Sequence, residues 1–244
     1  MRIGLFGGTF DPPHQAHLAA SLLALKRLKL DSIWWLVTPG NPLKNTSGLA
    51  PLKQRIAAAR GLTHHPRIDV TGLEAVIKTR YTYDTMKWLM ARCPRVRFVW
   101  IMGADNLRSF HRWQKWRGIA KLMPFVVVDR LGPSLYATAS PASQAFARAR
   151  IAEPEAASLP YRKPPAWAFL HGLKSPLSST ALRSMRQHRE FIPADRDFGV
   201  SLKCRTAGRH SVYNSLQGAR SLADIRSWNV AECHQPIYQI SREQ

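Results

Sequence analysis

Short apolar runs recur through the first two thirds of the chain and alternate with stretches whose apolar positions repeat every three or four residues. The runs over residues 2–6, 32–37, 68–70, 96–102, 124–128 and 166–170 predict strands. The intervening stretches predict helices over 16–29, 51–61, 83–92, 139–151 and 179–188. Thr82 or Asp84 is placed to cap the third of these helices, and Ser179 the last. Phe98-Val99-Trp100-Ile101 and Phe125-Val126-Val127-Val128 are apolar without a break, as strands buried on both faces must be. Alternating strands and helices of this kind predict an α/β fold with a parallel, doubly wound, Rossmann-like sheet. Its ligands are expected at the carboxyl ends of the strands.

The pattern fades after about Asp195. Residues 195–244 are rich in Ser, Arg, Gln and Asn and show no amphipathic period. The chain therefore divides into a domain over 1–194 and an irregular extension over 195–244. A lineage-specific extension, a disordered tail and a shifted reading frame all fit that composition; a poorly ordered appendage outside the reaction is the expectation.

Composition narrows the function classes. At 244 residues the chain can build one substantial core. No apolar run is long enough to span a membrane, and the N-terminus lacks a secretory layout. The three cysteines, Cys93, Cys204 and Cys233, are far apart and form no CxxC pair, which favours a reducing compartment over a zinc site. A cytoplasmic protein is expected. The formal charge of +21 suits a nucleic-acid binder, a solvated basic surface, or a field that steers anionic substrates. The basic residues are scattered and no nucleic-acid module accompanies them, so anionic small molecules are the favoured partners.

The chemistry concentrates at the first predicted strand end. Ile3 to Phe6 runs into Gly7-Gly8-Thr9-Phe10-Asp11-Pro12-Pro13-His14-Gln15-Ala16-His17 just before the first helical stretch. Glycines let a bulky anion approach the backbone, and a helix start offers N–H groups to negative charge. Imidazoles at i and i+3 reach the same group. The spacing differs from the G-x-G-x-x-G fingerprint of dinucleotide sites. It resembles the signature of the nucleotidyltransferase superfamily that carries an H-x-G-H motif. Within that superfamily it is most similar to the bacterial nicotinate-nucleotide adenylyltransferase family. One position departs: Ala16 stands where the superfamily usually has Gly.

Other segments carry the same resemblance. Leu177-Ser178-Ser179-Thr180-Ala181-Leu182-Arg183 is similar to the family's I-S-S-T-x-[IL]-R motif. Ser179 and Thr180 there offer hydroxyls and N–H groups at a helix start, and Arg183 supplies a planar cation one turn on. Tyr81-Thr82-Tyr83-Asp84-Thr85 resembles a Y-T-x-D-T stretch whose Thr82 backbone helps hold the nicotinate carboxylate. Gly103-Ala104-Asp105 resembles a G-x-D that places Asp105 near the ATP ribose or adenine. Trp113 matches a tryptophan that stacks on the pyridine ring, and Lys44 a basic residue of the loop after the second strand. The family usually closes soon after the equivalent of Phe191-Ile192-Pro193, whereas this chain continues.

The resemblance implies attack of the nicotinate mononucleotide phosphate on the α-phosphorus of ATP, giving deamido-NAD and pyrophosphate. Expected in catalysis are His14, His17, Lys44 and Arg183. Gly7, Gly8, Thr9, Phe10, Thr82, Asp105, Trp113, Ser179 and Thr180 are expected to bind the nucleotides. Mg²⁺ is expected to accompany ATP, with no protein metal site. Another member of the superfamily, such as a phosphopantetheine adenylyltransferase or a cytidylyltransferase, is the nearer alternative. A non-catalytic basic nucleic-acid-binding protein is the more distant one.

Overall fold

The computed structural model describes residues 1–40, 48–129 and 137–172. Lys44, Ser179, Thr180 and Arg183, the helix expected over 179–188 and the extension over 195–244 lie outside these. Seven strands run in chain order: β1 (Arg2–Gly8), β2 (Ser32–Val37), β3 (Ile68–Thr71), β4 (Arg97–Gly103), β5 (Phe125–Val128), β6 (Arg150–Ile151) and β7 (Trp167–Leu170). Interleaved are α1 (Gln15–Arg27), α2 (Leu52–Leu62), α3 (Leu73–Val76), α4 (Thr82–Arg92), α5 (Ala104–Ser109), α6 (Trp116–Leu122) and α7 (Pro141–Ala145).

All pairings are parallel, in the order β3-β2-β1-β4-β5-β7-β6. Leu5 of β1 faces Trp34 on one side and Trp100 on the other, and alternation along the strands sorts the apolar residues into two cores. Ile3, Leu5, Trp100 and Phe125 pack with residues of α4, α5 and α6. Phe6, Trp35, Ile101 and Val126 pack with residues of α1 and α2. That is the two-sided burial read from the unbroken apolar runs. Because β2 and β4 flank β1 on opposite sides, the strand order reverses at β1. The crevice past the carboxyl ends of β1 and β4 is where such a sheet takes its ligands.

Two sequence expectations are corrected. The helix expected over 139–151 stops at Ala145. Ser140 caps it, its hydroxyl oxygen accepting the Ser143 N–H at 3.3 Å, and Pro141 opens it. Beyond it the buried Trp167 indole donates its N–H to the Phe146 carbonyl at 2.8 Å, an acceptor that a continuing helix would need for residue 150. A short 3₁₀ turn follows, and Arg150–Ile151 joins the sheet edge beside Trp167 and Ala168. The second correction concerns α4: neither Thr82 nor Asp84 caps it. Tyr81 occupies the cap position without a side-chain bond, and its carbonyl accepts the Asp84 and Thr85 N–H groups at 3.0 and 3.2 Å. Thr82 is the first helical residue, and Asp84 lies in the first turn, where its charge favours the helix dipole. The short helices α3, α5 and α6 and the 3₁₀ helix Glu153–Tyr161 lie where no element was expected.

Candidate active site

Gly7 and Gly8 end β1, and their bare Cα atoms have a packing cause. A Cβ on Gly7 would run into the benzo ring of Trp100 on β4; one on Gly8 would lie 3.2 Å from the Phe10 ring. The chain then turns through Phe10, whose φ of +47° lies in the left-handed region that a bulky residue seldom occupies. Packing holds it there. The Phe10 ring stacks on Trp35 at 4.7 Å between centroids and 14° between planes, meets Phe6 edge-on, and lies 4.9 Å from the His17 ring. Its side chain is fully buried, so the turn can offer a ligand only the backbone of this residue.

His14 follows as the cap residue of α1, in extended conformation, and His17 lies in the first turn. Both are buried, and their ring centroids are 3.8 Å apart. The spacing read from sequence therefore does bring the two imidazoles together. The His14 backbone N–H donates to Nδ1 of His17 at 3.2 Å. Nδ1 can accept only when it carries no proton, so this bond leaves the neutral ring's proton on Nε2 as a donor. The helix start is also anchored from below. Trp35 donates its indole N–H to Ser21 Oγ at 2.8 Å, and the Ser21 hydroxyl donates to the His17 carbonyl at 2.9 Å. One tryptophan thus supports both the left-handed Phe10 and the first turn of α1. Ala16 is buried beside the histidines.

Two groups absent from the sequence expectations join the loops around this turn. Arg55 on α2 is buried and donates to four backbone carbonyls: Thr9 at 2.7 Å, Thr38 at 2.8 Å, Pro39 at 3.1 Å and Ala50 at 2.7 Å. Burial pulls its guanidinium below the usual range, and the charge of Asp11 partly offsets this. The Asp11 carboxylate also accepts the Ala50 N–H at 3.4 Å. Glu74 on α3 is buried, and burial pushes its carboxyl up from the ordinary value. Hydrogen bonds from Thr38 and Thr85 act against that rise. The Thr85 hydroxyl lies 3.3 Å from Glu74 Oε1 and 2.8 Å from the Thr79 hydroxyl, which ties the start of α4 to α3 and to the segment between them.

The remaining expected residues spread along the same edge of the sheet. Thr82 opens α4 past the carboxyl end of β3. Asp105 is exposed in the first turn of α5, directly past β4. Trp113 is half-buried between Trp100 and Phe110, with T-shaped ring contacts at 6.4 and 5.4 Å. Close by, Tyr83 fills the space over Gly118 and lies beneath the Lys115 ammonium.

Comparison with known proteins decides the kinship. The model of the cytidylyltransferase-like family matches residues 5–196. A probable nicotinate-nucleotide adenylyltransferase of Bradyrhizobium sp. strain ORS 278 is 60% identical over 184 residues, covering 75% of this chain and 96% of the relative. The chain belongs to the nicotinate-nucleotide adenylyltransferases of that family. A probable member from Agrobacterium fabrum strain C58 is 54% identical over 75% of this chain and 98% of its own length. The fold is shared with Plasmodium falciparum nicotinic acid mononucleotide adenylyltransferase complexed with APC, at 16% identity and a TM-score of 0.54 over 75% of this chain and 82% of that one. In this adenylyltransferase the H-x-G-H-like segment thus occupies the crevice end of β1. No helix among the described residues is long and apolar enough to cross a membrane.

Proposed function

We propose that the protein joins nicotinate mononucleotide to ATP, releasing pyrophosphate and forming deamido-NAD in NAD biosynthesis. The observation that carries the reading is the pair of buried imidazoles, 3.8 Å apart, at the start of α1 beside the reversal of strand order. Names of relatives that are 54–60% identical supply the substrate pair.

A phosphate oxygen of the mononucleotide attacks the α-phosphorus of ATP. A new P–O bond forms there as the bond to the bridging oxygen of the β-phosphate breaks, and the electron pair leaves with pyrophosphate. The attacking phosphate is already an anion near neutral pH, so no protein nucleophile is needed. The protein's work is to align two anions and to stabilise charge on the five-coordinate phosphorus. In this reading the Nε2–H of His17 donates to an α- or β-phosphate oxygen, with His14 beside it on the bridging or α-phosphate oxygens. Lys44 and Arg183 bear on the triphosphate. The backbone of Gly7, Gly8, Thr9 and Phe10, and the hydroxyls and N–H groups of Ser179 and Thr180, line the phosphates. Thr82 holds the nicotinate carboxylate, Trp113 stacks on the pyridine, and Asp105 meets the adenosine ribose or base.

A divalent cation, Mg²⁺ in this reading, enters with ATP. Among the described residues no group of three or more His, Cys, Asp or Glu could hold a metal ion, and the buried Asp11 is engaged by the Ala50 N–H. In this reading phosphates and water are its main ligands, as suits an ion that dehydrates reluctantly. The site works in the cytoplasm on free nucleotides, and residues 195–244 take no part. The family match ending at residue 196 supports that division.

Pyrophosphate release from ATP tests the reading, with nicotinate or nicotinamide mononucleotide as acceptor, on the full chain and on one ending at Asp195. Both forms should turn over the nicotinate substrate equally. His14→Ala and His17→Ala should each lower kcat about 10²–10³-fold, the usual cost of losing one donor to a developing oxyanion. Wild-type turnover in both variants would overturn the histidine roles, and no release with either acceptor would overturn the reaction.

A further inference from the structure

Arg55 belongs to none of the family-like motifs, yet it joins three pieces of chain around the crevice. It is the fourth residue of α2. Its guanidinium reaches the Thr9 carbonyl beyond β1, the Thr38 and Pro39 carbonyls beyond β2, and the Ala50 carbonyl just before its own helix. These contacts occupy four of its N–H donors, of the five a guanidinium carries. A buried fork so engaged has little left to offer a phosphate. Burying such a charge is costly unless its hydrogen bonds are made, and here backbone carbonyls and the charge of Asp11 make it tolerable. What the arginine gains the molecule is order. Thr9 and Phe10 carry the left-handed turn that leads to His14, and Thr38 hydrogen-bonds back to the Gly8 carbonyl through its own N–H at 3.0 Å.

We infer that Arg55 is a positioning residue for nucleotide binding: its bonds to Thr9, Thr38 and Pro39 hold the chain just past β1 and just past β2, at residues 9–11 and 38–40, in its ligand-ready arrangement before ATP arrives. The inference rests on the proposed function only in placing ATP at the carboxyl end of β1. Without the fork these two short segments exchange among arrangements, and ATP must select the competent one. Its apparent dissociation constant then rises by the inverse of the competent fraction. Once both substrates are bound, the reacting groups are the same as in the wild type, so saturated turnover is retained.

The test uses the full chain with Arg55→Ala and Arg55→Lys. Lysine keeps the charge but concentrates its three donors at one point, which cannot span carbonyls on three segments. ATP binding is followed by tryptophan fluorescence, alongside kcat, KM and thermal midpoint. The expected result is a rise of about tenfold or more in the dissociation constant and KM for ATP in both variants, with kcat at saturation within about threefold of wild type. Millimolar guanidinium ion should restore ATP affinity to Arg55→Ala. Unchanged ATP affinity with a lowered midpoint would overturn the inference by reducing Arg55 to a fold residue. A collapse of kcat at unchanged KM would overturn it by making Arg55 a contact of the reacting phosphates. If Arg55→Ala does not fold, Arg55→Lys carries the same expectation alone. A wild type that binds ATP but releases no pyrophosphate removes the proposed reaction and leaves this comparison intact; a wild type that binds no ATP removes the inference itself.

Discussion

Gly7→Ala separates two reasons for a glycine in the signature segment, open access for a phosphate or close approach of a neighbouring side chain. An added Cβ would collide with Trp100 Cη2 and lie 3.1 Å from Cζ2 and 3.5 Å from Cζ3. Carbon pairs rest near 3.5–4.0 Å, so the indole must move by roughly an ångström. Trp100 is a buried central-strand residue between Leu5 and Phe125 and cannot swing away into solvent. Overpacking of this kind costs about 1–3 kcal/mol. Gly7 has no left-handed φ, so Ala also gains about 0.5–1 kcal/mol from the stiffer unfolded chain. The clash wins, and a net loss of about 1–2 kcal/mol is expected.

Trp100→Phe supplies the control, because it deletes the ring atoms that the Cβ meets. The buried Trp100 Nε1 has no hydrogen-bond partner among the described residues, so Phe sacrifices apolar contact only, at roughly 1–3 kcal/mol. Combined, the two changes should cost about 1–2 kcal/mol less than their sum. Urea unfolding of the wild type, the two single variants and the double variant measures the coupling. Additivity within about 0.5 kcal/mol, or a Gly7→Ala protein as stable as wild type that no longer binds ATP, would refute the packing account and favour direct phosphate access.

Two further perturbations read the supports of the site. Ser21→Ala leaves the buried Trp35 N–H without its acceptor and should lower stability by about 1–3 kcal/mol; with the first turn of α1 loosened, kcat should fall too. Thermal midpoint and turnover together check this, and an unchanged midpoint would show that the indole finds another partner. Glu74 gives a pH signature. Its folded-state value is raised above the ordinary 4.5, so the native state holds its proton more tightly than the unfolded chain does. Its contribution is complete below 4.5 and is lost as pH climbs through the raised native value. Asp69, raised by burial as well, adds to the same slope. Glu74→Gln should therefore flatten the fall of denaturation midpoint above pH 4.5 without abolishing it, and an unaltered slope would sink the assignment.

The parts of this fold legible in the sequence are those that local pattern dictates. Strands such as 32–37 announce themselves because both faces are buried and, after Ser32, every position is apolar. The histidine pair was legible because residues 14 and 17 meet through one helical turn, a contact fixed by local geometry. The helix expected over 139–151 misled for the opposite reason: its Ala-rich pattern is helical, but Trp167, distant in sequence, takes the carbonyl that the helix needs. Arg55 was illegible on the same ground. One of three cations in an Ala-rich helix reads as a solvated position, and only the folded chain past β1 and β2 brings carbonyls to meet it.

The difference bears on what the signature segment means. Its glycines first suggest room for a phosphate, yet the space beside Gly7 belongs to Trp100 and that beside Gly8 to Phe10. The aromatic rings then do more than fill volume. Trp35 stacks on Phe10, Phe10 lies against His17, and the Trp35 N–H reaches the His17 carbonyl through Ser21. A turn that is strained at Phe10 and a helix start that carries both imidazoles are therefore braced by one side chain. Arg55 braces the same turn from its other side. A site whose chemistry is alignment of two anions has to be built before they arrive, since each loop ordered on binding would be charged against substrate affinity. The missing side chains of the glycines, on this account, serve the phosphate indirectly, by letting β1 and its turn lie close enough to these rings to be held still.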